Sequence, residues 1–201
     1  MLGLFLVAAA AELVAVAADL TVLQWIAKPL LALSLIGYLL RAGRRDLVTV
    51  ALVLACAGDV VLLARGQTWF LVGMVFFLGT QICLLVAFLR RSRPRWPTFV
   101  IGGLFWLTAN ALLWNHLGGL RVPILLYSLA LVAMAAAATG HGRRVGAGAV
   151  LFVVSDLLIG LRSAGFPLPA HDVLVMSTYA AALALIATGW ANAPEPANPI
   201  D

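Results

Sequence analysis

The sequence predicts an all-α, polytopic membrane protein of eight transmembrane helices, and three observations carry that expectation. Of the 201 residues, 64% are hydrophobic and only 10% charged, against roughly 25% charged in a soluble domain; mean hydropathy is +1.07. Apolar stretches recur at the length a bilayer core about 30 Å thick demands, about 20 residues per helix, because lipid satisfies no free backbone groups. Most of the basic residues sit in the short joints between those stretches.

The elements follow in order. Residues 2–20 match a signal peptide in length but have no basic start and carry Glu12 mid-stretch, so they are read as a retained first helix. The second span, 24–40, begins near Lys28 and Pro29 and closes at "RAGRRD". The third, 46–64, holds "LACAGDVVLLA", in which Asp59 has no basic neighbour. The fourth, 69–89, closes at "RRSRPRWP"; the fifth runs 97–115; the sixth, 119–138, closes at "GHGRR". The seventh, 145–162, holds "FVVSDLLIG" with Asp156 at its centre, and the eighth runs 171–190. Residues 1–190 form a single transmembrane domain, and "ANAPEPANPID", 191–201, reads as a disordered tail.

The net charge of +5 does not indicate nucleic acid. Arg41, Arg44, Arg45, Arg90, Arg91, Arg93, Arg95, Arg143 and Arg144 fall in three loops on one side, the mark of cytoplasmic loops. That orientation puts both termini in the cytoplasm, in the inner or plasma membrane of a bacterial-type cell. An internal echo, "KPLLALSL" from Lys28 against "VPILLYSL" from Val122, points to two parallel four-helix repeats, with Asp59 and Asp156 following at similar distances.

An uncompensated Asp or Lys at a span's centre costs on the order of 2.5 to 3.5 kcal/mol. Asp59 and Asp156 therefore face each other or a wet cavity rather than lipid. At about 1.5 Å per residue both lie about 17 to 20 Å from the basic-loop face. Glu12 falls at a similar height, and Lys28 lies nearer the opposite surface, so the four can converge in one half of the bundle. Gln81, Asn110, Tyr127, Ser155 and Tyr179 stand at mid-span and can add hydrogen bonds. A structural alternative exists for each: Lys28 can snorkel, Glu12 can pair with it as glue, and amides and tyrosines commonly bond helix to helix.

His116, His141 and His171 lie at span ends or in loops, no HExxH or paired His/Cys spacing occurs, and Cys56 and Cys83 sit singly in apolar runs. No metal and no cofactor are expected.

"KPL" at 28–30, "GDVVLL" at 58–63, "GAVLFVVSD" at 148–156 and the late Tyr179 together resemble the YhhN-like family, the lysoplasmalogenases, over almost the whole chain. Two positions depart from that pattern: Gln81 stands where the family commonly has His, and Ala182 where a Gln follows the tyrosine. The resemblance implies a membrane hydrolase that cleaves the vinyl ether of lysoplasmalogens, with a lysophospholipid substrate drawn from membrane lipids. It makes Asp59 and Asp156 the catalytic pair, one protonating the alkene while the other steadies positive charge or activates water, as in glycosidase pairs. Lys28 would then meet the phosphate of the head group or hold one Asp ionised. Two other classes stay open on the residues alone: an intramembrane aspartyl protease, for which "PLPAHD" is a poor match to the expected Pro-Ala-Leu element, and a small transporter or lipid-binding protein.

Overall fold

The structure, a computed structural model, describes residues 1–64, 66–92 and 95–193. Most of the expected tail, 194–201, lies outside the described residues. Among these there are eight α-helices and no strand: α1 (Leu2–Ala17), α2 (Thr21–Arg41), α3 (Leu47–Leu62), α4 (Gln67–Arg91), α5 (Trp96–Leu113), α6 (Arg121–Ala138), α7 (Gly142–Ser163) and α8 (His171–Ala191). Each end lies within three residues of its expected place. Two 3-10 turns, Trp114–His116 and Gly118–Leu120, bridge α5 to α6, and one, Thr139–His141, bridges α6 to α7.

Five helical stretches are long and apolar enough to cross a membrane: α2, α4, α5 with its following turn, the 118–163 stretch containing α6 and α7, and α8. α1 and α3 are apolar but have 16 residues each. Large apolar side chains cover the outside, among them Leu6, Val22, Val75, Ile101 and Leu112, all more than half exposed. A belt of that extent has no place in water and suits lipid; the protein is a multi-pass integral membrane protein.

Glycine permits the closest helix approaches. A Cβ on Gly58 would lie 2.9 Å from the Phe77 ring and one on Gly73 2.5 Å from Leu62, so α3 and α4 meet at these bare backbones. A Cβ on Gly148 would lie 2.9 Å from the Ala182 carbonyl oxygen, which seals α7 against α8 in the same way. Hydroxyls add one cross-link to each pair: Thr80 donates to the Ala51 carbonyl at 3.3 Å, and Ser155 to the Val175 carbonyl at 3.1 Å.

The packing order also repeats. α1–α2, α2–α3 and α3–α4 are neighbours in the first half; α5–α6, α6–α7 and α7–α8 in the second; α4–α6 and α8–α2 join the halves. One relation has no counterpart: α1 packs on α8, whereas α5 is not a close neighbour of α4. Only Asn110 of α5 is buried.

The basic end of the bundle is tied shut. Asp46 caps α3 through the Val48 amide at 3.1 Å and accepts the Trp190 indole N–H at 2.7 Å. Arg44 donates to the Ala191 carbonyl at 3.3 Å, and the Arg91 guanidinium lies 4.4 Å above the Trp190 ring. Between this end and the other lies a core of Leu31, Leu35, Leu84, Phe152, Leu183 and Ile186.

Candidate active site

The opposite end of the bundle is hollow. A cavity of about 150 Å³ is lined there by Lys28 of α2, the later turns of α3, α5 and α7 and the earlier turns of α4, α6 and α8. At roughly 10 to 15 Å³ of such volume per water it has room for on the order of ten waters, or for part of a lipid. Its wall is mostly apolar, with Met74, Phe105, Leu113, Ile124 and Leu157 among its residues.

Into this wall the fold brings most of the polar residues singled out from the sequence: Lys28, Asp59, Asn110, Tyr127, Ser155, Asp156 and Tyr179 all line the cavity. Asp59, only 4% exposed, accepts the Tyr179 hydroxyl at 2.7 Å. Asp156 accepts the Tyr127 hydroxyl through Oδ2. The two carboxyl groups lie within electrostatic reach of each other. Each aspartate thus sits on one helix and is held by a phenol from another, α8 for Asp59 and α6 for Asp156.

The tyrosines are themselves braced. The Tyr179 ring meets Phe77 and Phe152 edge to face, with centroids 5.9 and 5.5 Å away. Phe77 gets that close because Gly58, the residue before Asp59, has no side chain in its path. Lys28 precedes Pro29 inside α2; the missing Pro29 N–H leaves the Trp25 carbonyl without its helical partner and loosens the turn that carries the lysine. The Lys28 ammonium is in the electrostatic surroundings of Asp59 and of Glu12, without a direct ion pair to either among the described residues.

Glu12 and Gln81 do not reach the cavity wall. Both are fully buried behind it, and among the described residues neither carboxylate oxygen of Glu12 nor either polar atom of Gln81 has a hydrogen-bond partner. Gln81 stands near Tyr127, and Glu12 near Lys28 and Asp59. Two residues that the sequence did not single out do line the cavity: Trp106 and Ser128, which bond each other at 3.1 Å. Ser128 lies in the echo "VPILLYSL", and Trp106 stands one helical turn before Asn110. Among the described residues no cluster of His, Cys, Asp and Glu has the makings of a metal centre.

Residues 23–190 match the model of the YhhN family. The chain belongs to the YhhN family. It is 32% identical over 176 residues to lysoplasmalogenase TMEM86A of Bos taurus, covering 80% of this chain and 72% of that protein. It is 30% identical over 185 residues to lysoplasmalogenase TMEM86B of Homo sapiens, covering 87% and 79%. A lysoplasmalogenase of Mycobacterium bovis is 32% identical over 173 residues, covering 80% of this chain and 66% of that one. No solved structure matches. In this YhhN protein Asp59 lies on α3, Asp156 on α7 and Tyr179 on α8.

Proposed function

We propose that this YhhN protein is a lysoplasmalogenase, a membrane hydrolase that opens the vinyl ether of a lysoplasmalogen to a fatty aldehyde and a glycerophosphoethanolamine or glycerophosphocholine. The observation that carries the reading is the pair of aspartates, each held by a tyrosine, on the wall of one largely apolar cavity. Relatives that bear the lysoplasmalogenase name support it independently.

The chemistry asks for a proton and an anion close together. The Lys28 ammonium lies in the electrostatic surroundings of Asp59 and favours its anion, so Asp156 serves as the acid. Tyr127 occupies its Oδ2, so the acidic proton sits on Oδ1 and is delivered to the alkene carbon next to the ether-bearing one. The resulting oxocarbenium ion is steadied by Asp59, whose carboxylate is matched by the Lys28 ammonium nearby. Water adds to the ether-bearing carbon of that ion and returns a proton to Asp156, and the hemiacetal collapses to aldehyde and free glycerol hydroxyl. Two carboxyl groups with opposite protonation in one site is the division of labour seen in glycosidases. Lys28 also meets the phosphate. Eight crossings, two parallel four-helix halves and a cytoplasmic basic end complete the reading, with 1–190 as one domain.

The test is aldehyde release from a lysoplasmalogen by purified protein. Asp59→Asn and Asp156→Asn are each expected to lower kcat by at least about 100-fold, the usual worth of a positioned acid or base. Near-native rates in either variant would refute the role given to that residue.

A further inference from the structure

A hydrogen-bonded trio on the α5–α6 wall of the cavity is left with one acceptor to spare. Trp106 and Asn110 stand four residues apart on α5 and so share a face; both meet Ser128 of α6. The Asn110 amide nitrogen donates to the Trp106 carbonyl at 2.9 Å and to the Ser128 hydroxyl at 3.2 Å. The Trp106 indole donates to the same hydroxyl at 3.1 Å and to the Leu125 carbonyl at 3.2 Å. Ser128 donates its own proton to Leu125 at 3.2 Å.

This network fixes the amide. A backbone carbonyl can only accept, so the end of Asn110 that faces the Trp106 carbonyl is the NH2 end. Oδ1 is then the polar atom Asn110 has left to offer the cavity it lines, and no donor among the described residues reaches it. Ser128 has nothing left to offer, since its proton and both lone pairs are committed. The side chain is only 7% exposed, so Oδ1 is a fixed and sheltered acceptor.

We propose that Asn110 Oδ1 accepts the hydrogen of the free sn-2 hydroxyl of the bound lipid, and so selects lysolipids over lipids substituted at that oxygen. The proposal rests on the lysoplasmalogen reading. In such a lipid the sn-2 hydroxyl is a few bonds from the vinyl ether. α6 supplies the matching pair of anchors at consecutive positions about 100° apart around the helix: Tyr127 holds Asp156, and Ser128 holds Asn110. Because Asp156 and Asn110 line the same cavity, a lipid with its vinyl ether at Asp156 can turn its sn-2 oxygen to Asn110. The trio is uncharged, which suits a hydroxyl donor better than an ammonium head group. An acyl or methyl group on that oxygen removes the proton and leaves Oδ1 bare, the mismatch that gives hydroxyl-reading sites their selectivity.

The experiment measures binding of a saturated 1-O-alkyl lysophosphocholine, its 2-O-methyl ether and its 2-deoxy analogue to the detergent-purified protein. Wild type is expected to bind the hydroxyl lipid roughly tenfold more tightly than either analogue, the cost of one lost hydrogen bond to a sheltered acceptor. Asn110→Leu is expected to bind all three alike. Ser128→Ala, which frees the amide to turn while keeping Asn110, is expected to narrow the preference. Equal binding of the three lipids by wild type, no measurable binding of the hydroxyl lipid, or full preference retained in Asn110→Leu or Ser128→Ala overturns the proposal. The alkyl ether has no vinyl group, so the result does not depend on turnover. Preference for the hydroxyl without aldehyde release from a vinyl lipid would sink the hydrolase reading alone; aldehyde release without preference would sink this one alone.

Discussion

Asp59 and Asp156 stand where lipid would make them costly, and each has a phenol from a distant part of the chain in hydrogen-bond contact. Lys28 differs from both: it is half-buried, lines the cavity and forms no direct ion pair among the described residues. An ammonium held at a distance from its counter-charges is available to an anionic ligand. Lys28→Met is therefore expected to raise KM about 10- to 100-fold, the worth of a charged hydrogen bond, with a smaller change in kcat. Steady-state kinetics on lysoplasmalogen check this, and a fall in kcat at constant KM would instead assign Lys28 to the chemistry. The charged members of the site were legible in the sequence because a charge inside an apolar run is rare and expensive. Trp106 and Ser128 were not, since an indole or a hydroxyl in a span carries no such cost. Glu12 and Gln81 show the limit of reasoning from depth: rise per residue gives height along a helix, but only tertiary packing decides whether that face meets the cavity or the helix behind it.

The helices themselves were legible almost to their ends, because hydrophobic length and basic joints set where a span starts and stops. The echo between the halves has a structural counterpart. Ser34 donates to the Leu31 carbonyl at 2.7 Å and Ser128 to the Leu125 carbonyl at 3.2 Å, the same back-bond at matching positions of α2 and α6. What sequence did not reveal is how tightly particular pairs meet, which depends on which glycines face a neighbour. Gly148 does: a Cβ there would lie 2.9 Å from the Ala182 carbonyl oxygen and 3.0 Å from the Ile186 amide nitrogen, backbone atoms that cannot swing away. Gly103 does not, with nothing within 4 Å of its Cβ position. Gly148→Ala is expected to destabilise by about 1 to 3 kcal/mol through overpacking. Gly103→Ala gains helix propensity and should hold or raise stability. Thermal melting of the two variants in detergent checks the contrast, and equal melting would mean that α7 and α8 can part without cost.

At the scale of the whole molecule the packing order of the first four helices recurs in the last four except at one seam. α1 closes on α8, but α5 does not close on α4, and the cavity borders both sides of that seam through Phe70 and Met74 of α4 and Phe105 and Trp106 of α5. Two helices packed so loosely leave room for a lipid chain to enter between them, whereas the basic end is closed where Asp46, Trp190, Arg44 and Arg91 tie α3, α8 and α4 together. The cavity belongs to the end away from the basic loops, and the orientation we propose from the positive-inside bias turns that end toward the outer leaflet. Lysolipid in the outer leaflet thus has a direct sideways route to Asp59 and Asp156, and lysolipid in the cytoplasmic leaflet must first cross the bilayer. Lysoplasmalogen added from outside should therefore be consumed several-fold faster by right-side-out vesicles than by inverted ones carrying the same amount of protein, and detergent should abolish the difference. Faster consumption by inverted vesicles would reverse the orientation. Equal rates in both, with lipid flipping independently shown to be slow, would remove the one-leaflet route while leaving the chemistry of the aspartate pair untouched.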